Sequence, residues 1–470
     1  MRSILVACIV ASPCLAQGNA PSRDDALAAI ESACAFFAND VAATGPYCWR
    51  VTGDLKLREG EGRCDATLGW VQPPGLPTVG GAFLDVYDLT GDARYLAVAQ
   101  GVGQTLVKGQ LHTGGWYYHL ETDPVKRQEY LYRDMPVKKV GRSFRTTSLD
   151  DNVTQSTARF LMRLDKTLGF RDASVHDAAE FCLETLLIAQ RPIGAWYQNW
   201  REYPKPTTDA DFPVIAASYP ADWSREWLND WPGQYYLNDN VLMDMVDVML
   251  DAYDTYGDER FHQSALRAGD FFIMAQMPDP QPAWAQQYDI DMHPCWDRKF
   301  EPPAISGRES QDAMLCLIKL YRRSSDARYL EPIPRAIEYL RSSILPDGRL
   351  ARFYELRTNS PLYFTKDYQL TYDSSDMPKH YRFAWDSDLD AIEAAYNLAK
   401  AGEPEPVLAL TPELSARVAA MIRALDDRGA WVEEGVMDTY DMEPESGIIS
   451  SQTFADNIRA LCDYAALTAE

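Results

Sequence analysis

The sequence predicts an all-α fold, an (α/α) toroid of about six helical hairpins with long loops at one mouth. Three observations predict it. Helical patterns that end in Gly-Asp or Ser-Asp recur at FLDVYDLTGDARYL (83–96), MVDVMLDAYDTYGDERF (245–261) and MLCLIKLYRRSSDARYL (314–330). A second amphipathic helix follows each and leads to a Gly/Pro-marked loop with an aromatic residue, near Trp116, Trp196, Trp284 and Trp431. The first three tryptophans are spaced by roughly 80 to 90 residues, about twice the repeat of an open solenoid. From Trp284 to Trp431 the interval fits two units, with the tryptophan lost near GRLARFYE (348–355).

Taken in order, a helix is expected from about Ser22 to Asp40, then the hairpins, then a closing helix from about Gln452 to Thr468, roughly twelve helices in all. No low-complexity linker breaks this pattern, so 21–470 reads as one catalytic domain. Ahead of it, Met1-Arg2, the apolar run SILVACIV and the small residues through Ala16 and Ala20 read as a signal peptide over 1–20. The protein is therefore expected to be secreted or periplasmic. No later apolar run reaches the roughly 18 residues of a membrane span.

Composition narrows the partners. The formal net charge of −24 disfavours nucleic acid and acidic membranes, and an acidic substrate would need local arginines or a bridging divalent cation. No obligate protein partner is evident. Cys34, Cys48, Cys64, Cys182, Cys295, Cys316 and Cys462 follow the signal; their odd number cannot pair fully within one chain. Cys48 and Cys64, in a polar non-helical segment, form the favoured disulfide. Cys182, Cys316 and Cys462 read as core thiols. Without CxxC or paired His spacing, zinc is disfavoured.

Chemistry-bearing residues fall before inner helices and in loops. Asp150-Asp151-Asn152, Asn238-Asp239-Asn240 and Asp386-Ser387-Asp388 could each be helix N-caps. If successive inner helices start at one mouth, the same carboxylates would converge and hold a hard cation. Aromatic residues make up 11% of the chain, and those in loops, Trp196 among them, are expected to line a carbohydrate groove. Arg298, Arg308 and Arg382, with Lys379 and His380 nearby, would suit a uronate carboxylate. The stretch Pro282–Ser310 concentrates such groups on a proline-stiffened loop.

An ordered set of segments over 147–385 resembles the pectic acid lyases, polysaccharide lyase family ten. The segments are SLDDNVTQSTARFLMRL (148–164), AQRPIGAWYQNW (189–200), LNDNVLMDMVDVM (237–249), PAWAQQYD, RKFEPPAISGRES, ARFYELRTNSPLYF (351–364) and RFAW (382–385). The resemblance implies Ca²⁺-assisted β-elimination on pectate or a related polyuronate. By position it implies Arg298 as the base at C5 and Asp239 with Asp151 at the metal. Asp150 and Asn152 would lie beside metal and substrate, with Arg382, Arg308 and Trp196 binding the sugar. Asp150 and Asp151 compete for one aspartate position of the family, because Leu149-Asp150-Asp151-Asn152 departs from its Thr-Ile-Asp-Asn. Two alternatives stay open: an inverting glycoside hydrolase using paired carboxylates such as Asp150 and Asp239, and a non-catalytic carbohydrate-binding protein.

Overall fold

The computed structural model describes residues 20–136 and 145–469, so the signal-peptide reading falls, but for Ala20, outside the described residues. Among the described residues there are twelve α-helices: α1 (Arg23–Phe36), α2 (Leu76–Thr90), α3 (Ala93–Lys108), α4 (Val153–Thr167), α5 (Ala173–Ala189), α6 (Val241–Tyr256), α7 (Glu259–Ala275), α8 (Gly307–Ser324), α9 (Ile333–Ser342), α10 (Leu389–Lys400), α11 (Pro412–Ala424) and α12 (Ser451–Leu467). The even-numbered helices pack side by side in the order α12, α2, α4, α6, α8, α10. Odd-numbered helices pack against them: α3 on α2, α5 on α4, α7 on α6, α9 on α8 and α10, and both α11 and α1 on α12. The last helix thus joins the first, and the fold is the expected (α/α) toroid.

The recurring Gly-Asp turn has a plain local cause. Gly91 and Gly257 end α2 and α6 in the left-handed region, at φ 69° and 71°, which costs glycine no Cβ clash. Asp92 and Asp258 then accept the free N–H groups that start α3 and α7. A tight reversal between inner and outer helix follows.

Short antiparallel strands ring the mouth where the inner helices begin. The strand before an inner helix pairs with the strand after its own outer helix: Leu68–Trp70 with His119–Glu121, Thr147–Ser148 with Asn199–Trp200, Tyr235–Tyr236 with Gln287–Tyr288, and Ala304–Ser306 with Phe353–Glu355. Arg50–Thr52 pairs with Ile448–Ser450, stitching the two ends of the chain together. Ala384–Trp385, before α10, instead pairs with Leu350–Ala351.

The repeat tryptophans serve this architecture. The indole N–H of Trp116 donates to Leu106 O at 2.8 Å, Trp196 to Leu186 O at 2.8 Å, Trp284 to Phe272 O at 2.7 Å and Trp431 to Met421 O at 2.9 Å. Each acceptor lies in the last turn of an outer helix, so the indole ties the loop to the helix end. At the unit that lost its tryptophan, the Tyr354 hydroxyl takes the role, donating to Ser343 O at 2.6 Å after α9. After α1, Tyr47 donates to Phe37 O at 3.1 Å. All six hairpins therefore carry one aromatic latch. Trp196 is 0% exposed, so the expectation that it stacks on a sugar is corrected: its ring is core and its only polar atom is taken. Trp196→Ala is expected to cost about 3–5 kcal/mol of stability, read as a lower urea midpoint.

All seven described cysteines are buried free thiols. Cys182, Cys316 and Cys462 stand in the core as expected. Cys48 and Cys64, expected as a disulfide, stand instead as free thiols, donating to Arg50 O at 3.4 Å and to Gly62 O at 3.7 Å. Among the described residues no helix is long and apolar enough to cross a membrane.

Candidate active site

Two of the three polar knots build the site. Before α4, Asp151 and Asn152 adopt left-handed conformations, at φ 47° and 60°; before α6, Asp239 and Asn240 repeat them at φ 50° and 59°. Asp and Asn tolerate that region better than other side-chain-bearing residues, which explains why the knots read Asp-Asn. The kink turns the carboxylates away from capping, and neither Asn152 nor Asn240 makes a side-chain cap bond. Because α4 and α6 are neighbours, Asp150, Asp151 and Asp239 converge, with one carboxylate oxygen of each within 4.8 Å of the others. The third knot stays apart: Asp386 pairs with Arg382 at 3.1 Å and is exposed, as is Asp388.

Neutral donors hold the cluster. Tyr118 Oη donates to Asp150 Oδ2 at 2.6 Å and Gln198 Nε2 to Asp150 Oδ1 at 2.7 Å. Gln72 Nε2 donates to Asp151 Oδ2 at 2.9 Å and to Glu61 at 3.2 Å. Burial and the neighbouring carboxylates push Asp151 up to about 7 and Asp239 well above the carboxylate range. Such a set gains from a cation. It offers only hard oxygen donors, and the amide oxygen of Asn152 on the same turn is buried without a hydrogen-bond partner. Calcium or magnesium fits that chemistry; soft metals do not.

Arg298 stands against this cluster, its Nη2 3.8 Å from Asp239 Oδ2. Glu301, fully buried, grips the guanidinium from Nε at 2.8 Å and Nη2 at 2.5 Å. Tyr381 Oη donates to the same Glu301 at 2.8 Å. Burial alone would lower the affinity of Arg298 for its proton, but Glu301, Tyr381 and Asp239 outweigh it and raise that affinity further. Buried Arg352 braces the next turn, donating to Asn238 at 3.2 Å and pairing with Glu309 at 3.2 Å. Arg308 and Arg382 both lie over one ring: each guanidinium carbon is 4.2 Å from the Trp385 centroid. Arg308 also pairs with Asp312 at 2.9 Å. The same ring lies 5.9 Å from Arg352, which places both arginines at the mouth while giving neither a contact with the aspartates.

Of the expected site residues, Asp150, Asp151, Asn152, Asp239 and Arg298 come together; Arg308 and Arg382 flank them; Trp196 does not take part. Sequence reasoning missed the roles of Glu301, Arg352, Gln198, and of Glu61, Gln72 and Tyr118 from the N-terminal segment. A charged residue inside an apolar run, as in LARFYE, was the available signal for Arg352.

His119, on the strand that pairs with Leu68–Trp70, forms part of that N-terminal wall. Its Nδ1 lies 2.7 Å from Tyr130 Oη, and burial with help from Arg145 lowers it to about 4. The folded protein thus favours the neutral ring. The stability this gives is full above about 6.5 and lost as pH falls toward 4, because the unfolded chain takes the proton first; the loss is about 3 kcal/mol. Urea midpoints from pH 7 to 4 should fall more steeply for the wild type than for His119→Gln.

No family model matches the chain, and no curated protein matches it significantly. Among solved structures it is similar to a mutant of the family 10 polysaccharide lyase from Cellvibrio cellulosa in complex with trigalacturonic acid, at 17% identity, covering 69% of this chain and 98% of that one, with TM-score 0.46. A D-mannose isomerase matches at 14% identity over 97% of this chain and 100% of the other, TM-score 0.47. An inactive variant of an α-1,6-mannanase of Salegentibacter sp. HEL1_6, bound to α-1,6-mannotriose, matches at 12% identity over 95% and 99%, TM-score 0.40.

Proposed function

We propose that the chain is an exported polysaccharide lyase that cleaves pectate or a related polyuronate by cation-assisted β-elimination. One observation carries the reading: three carboxylates converge beside a guanidinium at the toroid mouth. Asp150, Asp151 and Asp239 would hold Ca²⁺. When bound, the cation would neutralise both the cluster and a substrate carboxylate, stabilising charge that develops on deprotonation at C5. In this reading Arg298 takes the C5 proton, Glu301 fixes its plane, and Arg382 and Arg308 bind sugar carboxylates. A cation bound at the cluster, together with the mouth arginines, would supply the positive charge that a negatively charged chain needs to hold a negatively charged polymer.

The inverting-hydrolase alternative needs carboxyl groups roughly 6.5–9.5 Å apart to seat a water. One oxygen each of Asp150, Asp151 and Asp239 lie within 4.8 Å of one another, an arrangement that suits chelation of a single cation. The test is a panel of polyuronates and neutral polysaccharides. New reducing ends and ultraviolet-absorbing unsaturated ends should appear in equal number on a polyuronate and on nothing else. Reducing ends without unsaturation would point to hydrolysis; binding without either would point to a carbohydrate-binding protein.

A further inference from the structure

Beside the candidate active site lies a cavity of about 560 Å³. Its walls come from the turn after α9, around Leu345–Arg349, and from the loop that returns to α10, around Ser374–Ala384. Arg349, Lys379, His380 and Arg382 line it, and among the lining residues only Asp347 is acidic. That concentration is unusual in a chain with 69 acidic and 45 basic residues. Arg349 and Arg382 spend part of their charge on Asp347 and Asp386, at 2.6 Å and 3.1 Å. Lys379 has no acidic partner among the described residues.

The cavity is also firmly built. Behind it, Trp296, Phe300, Phe353, Leu362, Phe364 and Phe383 form a second hydrophobic cluster. The strands Pro361–Phe364 and Leu370–Thr371 extend the Ala304–Ser306 and Phe353–Glu355 sheet to carry it. Tyr363 and Tyr381 offer ring surface inside. Tyr381 is a shared wall, because its hydroxyl donates to the Glu301 that holds Arg298, at 2.8 Å. Cations, aromatic faces and a volume within the range of small-ligand pockets suit one acidic sugar residue.

We propose that this cavity is a distal subsite that takes the carboxylate of a uronate residue other than the one at the aspartate cluster. It rests on the polyuronate reading and adds a length requirement: the polymer must span both places to bind fully. Arg349 and Lys379 supply the recognition, and a neutral sugar has nothing there to neutralise them.

The test is calorimetric titration of trigalacturonate into the full chain with chelator present. Arg349→Ala/Lys379→Ala should weaken binding ~10-fold or more, Lys379→Glu should do the same, and maltotriose should bind to none of them. Circular dichroism confirms that each variant is folded. Wild-type affinity in both variants, or equal binding of maltotriose, would overturn the subsite. Tighter binding of a sulfated trisaccharide than of trigalacturonate would overturn its assignment to a carboxylate. Should the wild type release no unsaturated product from any polyuronate, the lyase reading fails while a loss of affinity in the variants still supports the subsite.

Discussion

Asp239→Asn is expected to lower kcat/KM on a polyuronate about a hundredfold or more and to abolish most of its calcium response. The substitution is nearly isosteric and keeps the left-handed turn at φ 50°, which Asn adopts readily. It removes one of three carboxylates, one oxygen of each lying within 4.8 Å of the others. The stability consequence has the opposite sign. Burial and the charges of Asp150 and Asp151 hold Asp239 well above the usual carboxylate range, so without a cation the cluster costs the fold stability near neutral pH. In chelator the variant should therefore melt higher than the wild type, and added calcium should raise the wild type more than the variant. A site that weakens its own fold to hold a cation would show this crossing. Equal calcium responses in the two proteins would sink the assignment of Asp239 to the metal.

The second large effect belongs to Arg298. Glu301 and Asp239 keep its guanidinium protonated, so only a minute neutral fraction exists near neutral pH. If that fraction takes the C5 proton, kcat should climb with pH through the alkaline range until the fold fails. Arg298→Ala should reduce kcat by roughly 10²- to 10⁴-fold. Arg298→Lys should keep part of the rate and level off at lower pH, because a lysine ordinarily titrates about 2 units or more below arginine. A carboxylate base would behave otherwise: with Asp151 brought up to about 7, the rate would flatten above that pH in wild type and variants alike. Such a plateau, unchanged in Arg298→Lys, would remove Arg298 from the proton-transfer role.

The fold was legible because its signals are local. Amphipathic periods, with Gly-Asp or Ser-Asp turns in three of the hairpins, mark the repeat within a few residues, and the described residues form twelve α-helices with the first and last packed together. The tryptophans marked the repeat correctly but were misread as sugar platforms. Which carbonyl an indole N–H meets is decided by packing, and Trp196 finds Leu186 where no sugar can reach. Asp150, Asp151 and Asp239 were legible because two Asp-Asn knots precede two neighbouring inner helices. The knot at Asp386 looked alike but lacks the double left-handed turn, and its carboxylate stays on the surface. Arg352 was hidden for another reason: its partners Asn238 and Glu309 lie far away in sequence. Gln72, Tyr118 and Glu61 sit in the N-terminal segment, outside the stretch that resembles the lyases, and reach the aspartates only through the folded mouth.

The most direct test of a cation-dependent elimination at these aspartates is one continuous trace of unsaturated-uronate absorbance during digestion of pectate. The absorbance should rise with calcium, stop on addition of chelator and resume when calcium is restored in excess. A rise that continues unchanged through the chelator would contradict the account.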